Sequence, residues 1–302
     1  MMHSSGLALA VDLGATHLRE VLADSSGAFV VSDDQEIDPA SGADALVAQI
    51  AATARGLLAR FGLGAPVAVG VACPGVIDVP AGLVRAARNF RGWRDVPLAR
   101  MLSESLGAPV RIDNDVNAAA LGESWLGAGR DLDSLAFIAV GTGVGVGIVF
   151  DGQVHRGAHF AAGEVNSLPS GVDDADVESV ASGPAIVRRA LAAGVRPSCD
   201  TGLTTAAVFA AAASGDPAAG RVIGDALGTI GRAIAWLIAA VDPAIVVIGG
   251  GVSRQGEPLL APIRAEVQRY VRDRTPVVLS KLGVDAQLHG AFRLALDAVS
   301  RP

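Results

Sequence analysis

The 302 residues are 51% hydrophobic and 18% charged, which supplies a full core and excludes an intrinsically disordered chain. The formal charge of −7, from 24 basic and 31 acidic residues, argues against nucleic acid or an anionic membrane as the main partner. The only lysine, Lys281 in LSKLG, fits no P-loop, protein-kinase or pyridoxal motif, so the enzyme classes that need such a lysine are excluded together.

In chain order, residues 7–12 (LALAVD) form an apolar strand that breaks at Gly14-Ala15-Thr16. A second extended stretch (HLREVLAD), the turn Ser25-Ser26-Gly27 and AFVVS complete a meander. Apolar residues at Leu46, Ile50, Leu57, Leu58 and Phe61 predict a helix over 42–61, followed by the strand VAVGVAC. Residues 73–97 have no helical period and read as a long exposed loop. A short helix is expected from near Asn114 to about Gly127.

The pattern then repeats. LAFIAV (135–140) runs into Gly141-Thr142-Gly143, continues as VGVGIVF, turns at Asp151-Gly152 and resumes as QVHRG. Residues 163–178 are irregular and acidic; a helix over 217–240 and the strand AIVVIGG follow. A last helix near 286–299 is expected to fold back onto the first domain. The architecture expected is two α/β domains of related plan with a cleft between them: residues 1–115 with 287–302, and residues 116–286.

Cys73 and Cys199 lie too far apart for a disulfide framework or a cysteine zinc cluster, so a cytoplasmic setting is expected. The N-terminus lacks a basic region and Asp12 interrupts its apolar run, so no signal peptide is expected. No stretch reads as long enough for a membrane span; AIAWLIAAV is half of one.

Two glycine-threonine loops, DLGAT (12–16) and GTGVG (141–145), could offer backbone N–H groups and a hydroxyl to phosphate oxygens. Asp12, at a strand end, could hold Mg²⁺ directly or through water. Either loop alone reads more simply as a tight hairpin turn; one in each repeat favours a phosphate clamp. A dinucleotide fingerprint fails on register, because Val146 and Arg254 stand where third glycines would be needed. In IDNDVNAAALGE (112–123), one of Asp113, Asn114 and Asp115 serves as a helix N-cap. Three polar residues exceed that need, and an aspartate there could accept the proton of an attacking alcohol. His155 and His159 have no HExxH frame, and His17 reads as a surface strand residue. Of the three tryptophans, Trp93 in NFRGW is the one that could stack on a ligand.

Together the strings DLGATHLR, GVACPGVID, NFRGWRDVPL, IDNDVNAAALGE, GTGVGVGIVFDGQVHRG, GEV, ESVASGPAI and VDPAIVVIGGGVS, in this order, resemble the ROK family of sugar kinases and repressors. The resemblance implies the actin-like ATPase (ribonuclease H-like) α/β fold. It places ATP phosphates and magnesium on Asp12, Gly14, Ala15, Thr16, Thr142 and Gly143, with Gly250 near the adenosine. It makes Asp115 the general base and gives Asn89, Asn114, Glu164 and Glu178 the sugar hydroxyls, with Gly75 in the CPG turn shaping the pocket. A homodimer is implied, with sugar and nucleotide as ligands. The family's repressors carry an N-terminal helix-turn-helix; with a strand predicted from residue 7, none is expected here.

One region departs from the family. Where GEIGH is usual the chain reads Gly163-Glu164-Val165-Asn166-Ser167, and SLPSGVDDADVE replaces the cysteine-rich zinc run. This places the chain on a branch lacking the zinc motif, and no zinc is expected. The expectation is an ATP-dependent, glucokinase-like hexose kinase; the rivals are a non-catalytic sugar sensor and a polyphosphate-using hexokinase.

Overall fold

A computed structural model describes residues 6–87, 89–196, 202–271 and 275–300; Cys199 lies outside them. The chain divides into two compact units. The first holds the residues up to Leu126, Arg156–Ala161 and those from Asp285 onward; the second holds Gly127–His155 and Ala162–Val284.

In the first unit, β1 (Ala8–Leu13), β2 (His17–Ala23), β3 (Phe29–Glu36), β4 (Val69–Cys73) and β8 (Val110–Asn114) form one sheet in the order β3-β2-β1-β4-β8. The β1–β2 and β2–β3 pairs are antiparallel, and β1–β4 and β4–β8 are parallel. The central strand β1 is buried on both sides, which is why its sequence is a continuous apolar run rather than an alternation. Leu9, Val11 and Leu13 face α1 (Ala43–Ala59) and α2 (Leu98–Leu106). The smaller Ala8 and Ala10 face α9 (Ala286–Ser300), whose Leu288 and Phe292 are fully buried there. Burying such a side chain stabilises by about 1.5–3 kcal/mol.

That side demands close approach. A Cβ on Gly70 would overlap the carbonyl of Ala291, and one on Gly290 would overlap that of Ala118 in α3 (Asp115–Trp125). The last helix thus packs on the first sheet, as expected, and α3 packs with it. Unit 1 therefore runs past residue 115, to Leu126, and takes in Arg156–Ala161 as well.

Two local expectations change. Residues 73–97 are not a bare loop: β5 (Val76–Asp78), β6 (Leu83–Ala86) and β7 (Arg94–Val96) make a small antiparallel sheet. Its strands are three or four residues long, too short for a period to show, yet Ile77, Val84, Phe90 and Trp93 join the core. The first helix stops at Ala59, and Phe61 is 44% exposed rather than part of the buried stripe.

The second unit repeats the plan. β9 (Ser134–Val140), β10 (Val144–Phe150), β11 (Gln153–Val154), β12 (Val246–Gly249) and β13 (Val277–Leu279) are ordered β11-β10-β9-β12-β13. Again the first three strands are antiparallel neighbours and the last two join in parallel. Around it lie α4 (Val177–Ala181), α5 (Gly183–Ala192), α6 (Thr205–Ala213), α7 (Pro217–Val241) and α8 (Glu257–Tyr270). Asp216 caps α7 by accepting from Ala218 and Ala219, with Pro217 in the first turn, where its missing N–H costs nothing. At 25 residues α7 is long and apolar enough to cross a membrane, contrary to the expectation that no stretch reaches that length. Its apolar face, with Ile223, Ile230 and Ile234, is instead buried in this unit's core.

Candidate functional site

In the first unit the carboxyl ends of three parallel strands meet. Asp12 on β1 is level with Ala72 on β4, which is level with Asp113 on β8. Two strand spacings separate Asp12 from Asp113, about 10 Å along the sheet. Ligands of open α/β sheets bind outside such ends. The chain leaves β8 through Asn114 and enters α3 at Asp115.

This junction is held from several sides. Asn114 is the N-cap: its Oδ1 accepts from the amides of Val116 and Asn117, at 2.9 and 3.3 Å. Its Nδ2 donates to the carbonyl of Gly75 at 3.0 Å. Gly75 has φ +111°, and a Cβ there would overlap the carbonyl of Ala86, so the CPG turn requires glycine. Asp113, 1% exposed, accepts from the Asn114 amide at 2.8 Å and Asn117 Nδ2 at 3.2 Å through Oδ1. Its Oδ2 accepts from the Arg156 guanidinium, Nε at 3.0 Å and Nη2 closer still.

Asp115 places Oδ1 2.9 Å from the amide of Val116. Its charge is felt at Asp12, whose pKa is raised to about 7, first by burial and then by Asp115, against a lowering by Arg19. Burial, then Asp115 and Asp12, push the thiol of Cys73 on the strand between them well up, leaving it protonated. A carboxylate at a strand end, with a second close enough to raise its pKa, is a donor set that suits a divalent ion. Magnesium is commonly held by one or two carboxylates plus substrate phosphates rather than by a protein cage. Among the described residues, no group of three or more His, Cys, Asp or Glu is arranged to hold a metal.

Gly14, Ala15 and Thr16 make the β1–β2 turn, closed by the Gly14 amide on the His17 carbonyl at 2.9 Å. Thr16 and His17 are exposed, the hydroxyl 3.0 Å from the ring Nδ1. Asn89 is exposed in the turn before Phe90. Trp93 is buried against Phe90, ring centroids 4.6 Å apart, which makes it a packing group and not a stacking platform.

In the second unit, Gly141-Thr142-Gly143 turns β9 into β10, with the Gly141 amide on the Gly143 carbonyl at 2.9 Å. The Gly183 amide, in the first turn of α5, donates to the Gly141 carbonyl at 2.8 Å. Thr142 is exposed. Beside this loop opens a groove of about 970 Å³ whose lining includes Gly141, Thr142, Pro184, Val187, Arg188, Leu191, Gly251, Val252 and Arg254. Its walls are chiefly apolar and backbone, as for a flat heterocycle with a polar tail. Gly250, just before it, has φ +84°, and a Cβ would stand 2.5 Å from the Val140 carbonyl.

Glu178 and Glu164 lie in this unit and differ in surroundings. Glu178 Oε2 accepts from the Val144 amide at 3.1 Å and stands 2.5 Å from where a Cβ on Gly143 would be. Glu178 thereby braces the glycine-threonine loop. Glu164 is exposed and accepts from Asn166 Nδ2 at 3.1 Å, while Asn166 Oδ1 accepts from the Ser167 hydroxyl at 3.0 Å.

The Asp113–Arg156 pair was not foreseen. QVHRG carries Arg156 more than forty residues from Asp113, and no local period links them. A buried aspartate directly before an N-cap was the available hint, since a buried charge needs a partner.

The ROK family model matches residues 8–298. The chain belongs to the ROK family. Among its relatives, the glucokinase of Thermotoga maritima is 33% identical over 96% of this chain and 98% of its own. The crystal structure of a ROK family glucokinase from Streptomyces griseus in complex with glucose and AMPPNP superposes with TM-score 0.81 at 31% identity, covering 97% of this chain and all of that one. A ROK hexokinase from Thermus thermophilus gives 0.82 at 32%, covering 98% of this chain and all of its own. The fold is therefore that of the ROK actin-like ATPases.

Proposed function

We propose that this ROK protein is an ATP-dependent sugar kinase that phosphorylates a primary hydroxyl of a hexose or hexose derivative. The observation that carries the reading is Asp115, set at the start of α3 by a capped junction and electrostatically coupled to Asp12. Asp115 accepts the proton of the acceptor hydroxyl as that oxygen attacks phosphorus in line. Gly75 and Asn114 fix the turn that shapes the acceptor pocket, and Glu164 accepts hydrogen bonds from sugar hydroxyls. Asn114 serves mainly by holding the junction, since its amide is already engaged.

The groove beside Gly141–Gly143 suits the nucleotide. Its apolar walls fit an adenine, and Thr142 with the loop amides can donate to phosphate oxygens. A chain of phosphates would call for a largely basic lining, and the groove carries two arginines, Arg188 and Arg254, among chiefly apolar walls, so ATP is favoured over polyphosphate as donor. Asp12 would hold Mg²⁺, directly or through water, and the bound ion neutralises charge on the phosphoryl oxygens.

A coupled assay of ADP release across glucose, mannose, fructose, allose, N-acetylglucosamine and N-acetylmannosamine tests the reading. Sugar-dependent ADP release with at least one of them is expected. Sugar binding with no ADP from any, or release only with polyphosphate as donor, would overturn it.

A further inference from the structure

We propose that Arg156 is a positioning residue for Asp115, acting through the buried carboxylate of Asp113; the inference rests on the kinase reading above. Arg156 opens a six-residue segment, Arg156–Ala161, that belongs to the first unit although the chain on either side belongs to the second. Its guanidinium meets Asp113 Oδ2 with both Nε and Nη2, so the side chain approaches as a fork and not as a single point. Asp113 is 1% exposed and the Arg156 side chain 25%, so the pair is largely shielded from water.

The consequence follows from which oxygen does what. With Oδ2 held by Arg156, Oδ1 is left to accept from the Asn114 amide and from Asn117 Nδ2, one turn into α3. Asp113 therefore reads out the position of Arg156 at one oxygen and sets the start of α3 with the other. Asp115 is the first residue of that helix, so the direction of its carboxylate depends on the same frame. Arg156 touches no reacting atom in this scheme. Its effect is geometric, and displacement of a catalytic group by about 1 Å can cost on the order of a hundred-fold in rate.

A structural role alone would also lower stability on substitution, so the test separates the two. Arg156→Ala leaves the Asp113 charge buried and unpaired; adding Asp113→Asn removes that charge but cannot restore the fork. For Arg156→Ala we expect a lower melting temperature and a kcat at least ten-fold down per folded protein, with the KM for ATP within two-fold of wild type. For the double variant Arg156→Ala/Asp113→Asn we expect the melting temperature to recover while kcat stays at least ten-fold down. Should the single variant not fold, the double variant alone decides. Either kcat within two-fold of wild type in Arg156→Ala, or kcat recovering together with stability in the double variant, would overturn the proposal and leave the kinase reading intact. No turnover by the wild-type protein with any hexose would overturn both.

Discussion

In the first sheet the hairpin from β1 to β2 starts on Asp12, a carboxyl raised to about 7 by burial and by Asp115. In the second sheet the equivalent hairpin, from β9 to β10, has no charge of its own; Thr142 is flanked by glycines, and a carboxylate arrives from Glu178 in α4. Strand order and pairing directions are the same in both sheets. Across the strand ends of the first sheet lie Asp113, Asp115 and Arg156; beside the second hairpin lies a groove whose walls include Pro184, Val187, Leu191 and Val252. The same scaffold thus gathers charged side chains at the strand ends of one unit, where the proposed function has a proton move. In the other it offers backbone and apolar surface, where the proposed function has a nucleotide lie. Under that proposal one plan serves two tasks, because the hairpin loop and the residues at the strand ends vary while the sheet stays constant.

If this division of labour holds, substitutions in the two units should fail in different ways. The largest effect is expected from Asp115→Asn. Asparagine can still accept from the Val116 amide, and Asn114 still caps the helix, so folding should survive. Loss of a general base costs about a hundred- to ten-thousand-fold, so kcat in the ADP-release assay should fall by that much. Gly250→Ala probes the other unit. The new Cβ would meet the Val140 carbonyl in a backbone region L residues avoid, a strain of about 1–3 kcal/mol. The KM for ATP should rise several-fold and the melting temperature fall, with sugar KM unchanged.

The two glutamates sharpen the comparison further. Glu164→Ala should raise the KM for sugar roughly ten-fold, the worth of one hydrogen bond to a charged acceptor, and leave that for ATP alone. Glu178→Ala, which frees the Val144 amide, should raise both. If the two variants showed the same pattern, the bracing role of Glu178 would be wrong.

The smallest effect concerns Glu20, fully buried on β2, with both carboxylate oxygens lacking a hydrogen-bond partner. Burial, and then Asp33, raise its pKa from 4.5 to about 9. The folded chain keeps this proton up to about pH 9, whereas the unfolded chain releases it near 4.5. Stability should therefore decline as pH rises between those values and level off above. Glu20→Gln should raise the melting temperature at pH 8 by a few degrees, for about 1–3 kcal/mol, and should gain little at pH 4.5. An equal gain at both pH values would show that burial of the charge is not the cause.

Much of this arrangement was legible in the sequence where the signal is local. The paired meanders, the helix after each, and a cap somewhere in Asp113-Asn114-Asp115 follow from periodicity, glycine placement and one polar run; only the structure singles out Asn114. The three short strands in 73–97 escaped because three or four residues carry no period. Their burial comes from Phe90 and Trp93 packing into a core formed by distant elements. Family resemblance assigns Glu178 to the sugar; the structure adds a contact with the Val144 amide that spans 34 residues and leaves no trace in spacing. The Arg156–Asp113 pair was hidden for the same reason. The helix over 217–240 agrees with α7; only its apolar extent is longer than AIAWLIAAV suggests, because Arg221, Asp225 and Arg232 break the apolar run without ending the helix.

The most direct measurement is the affinity of AMPPNP for wild-type protein and for Asp115→Asn, by calorimetry with magnesium present, alongside turnover of the same samples. The account predicts dissociation constants within about three-fold of each other while sugar-dependent ADP release falls at least a hundred-fold in the variant. Nucleotide binding lost together with turnover, or turnover retained within a few-fold, would contradict it.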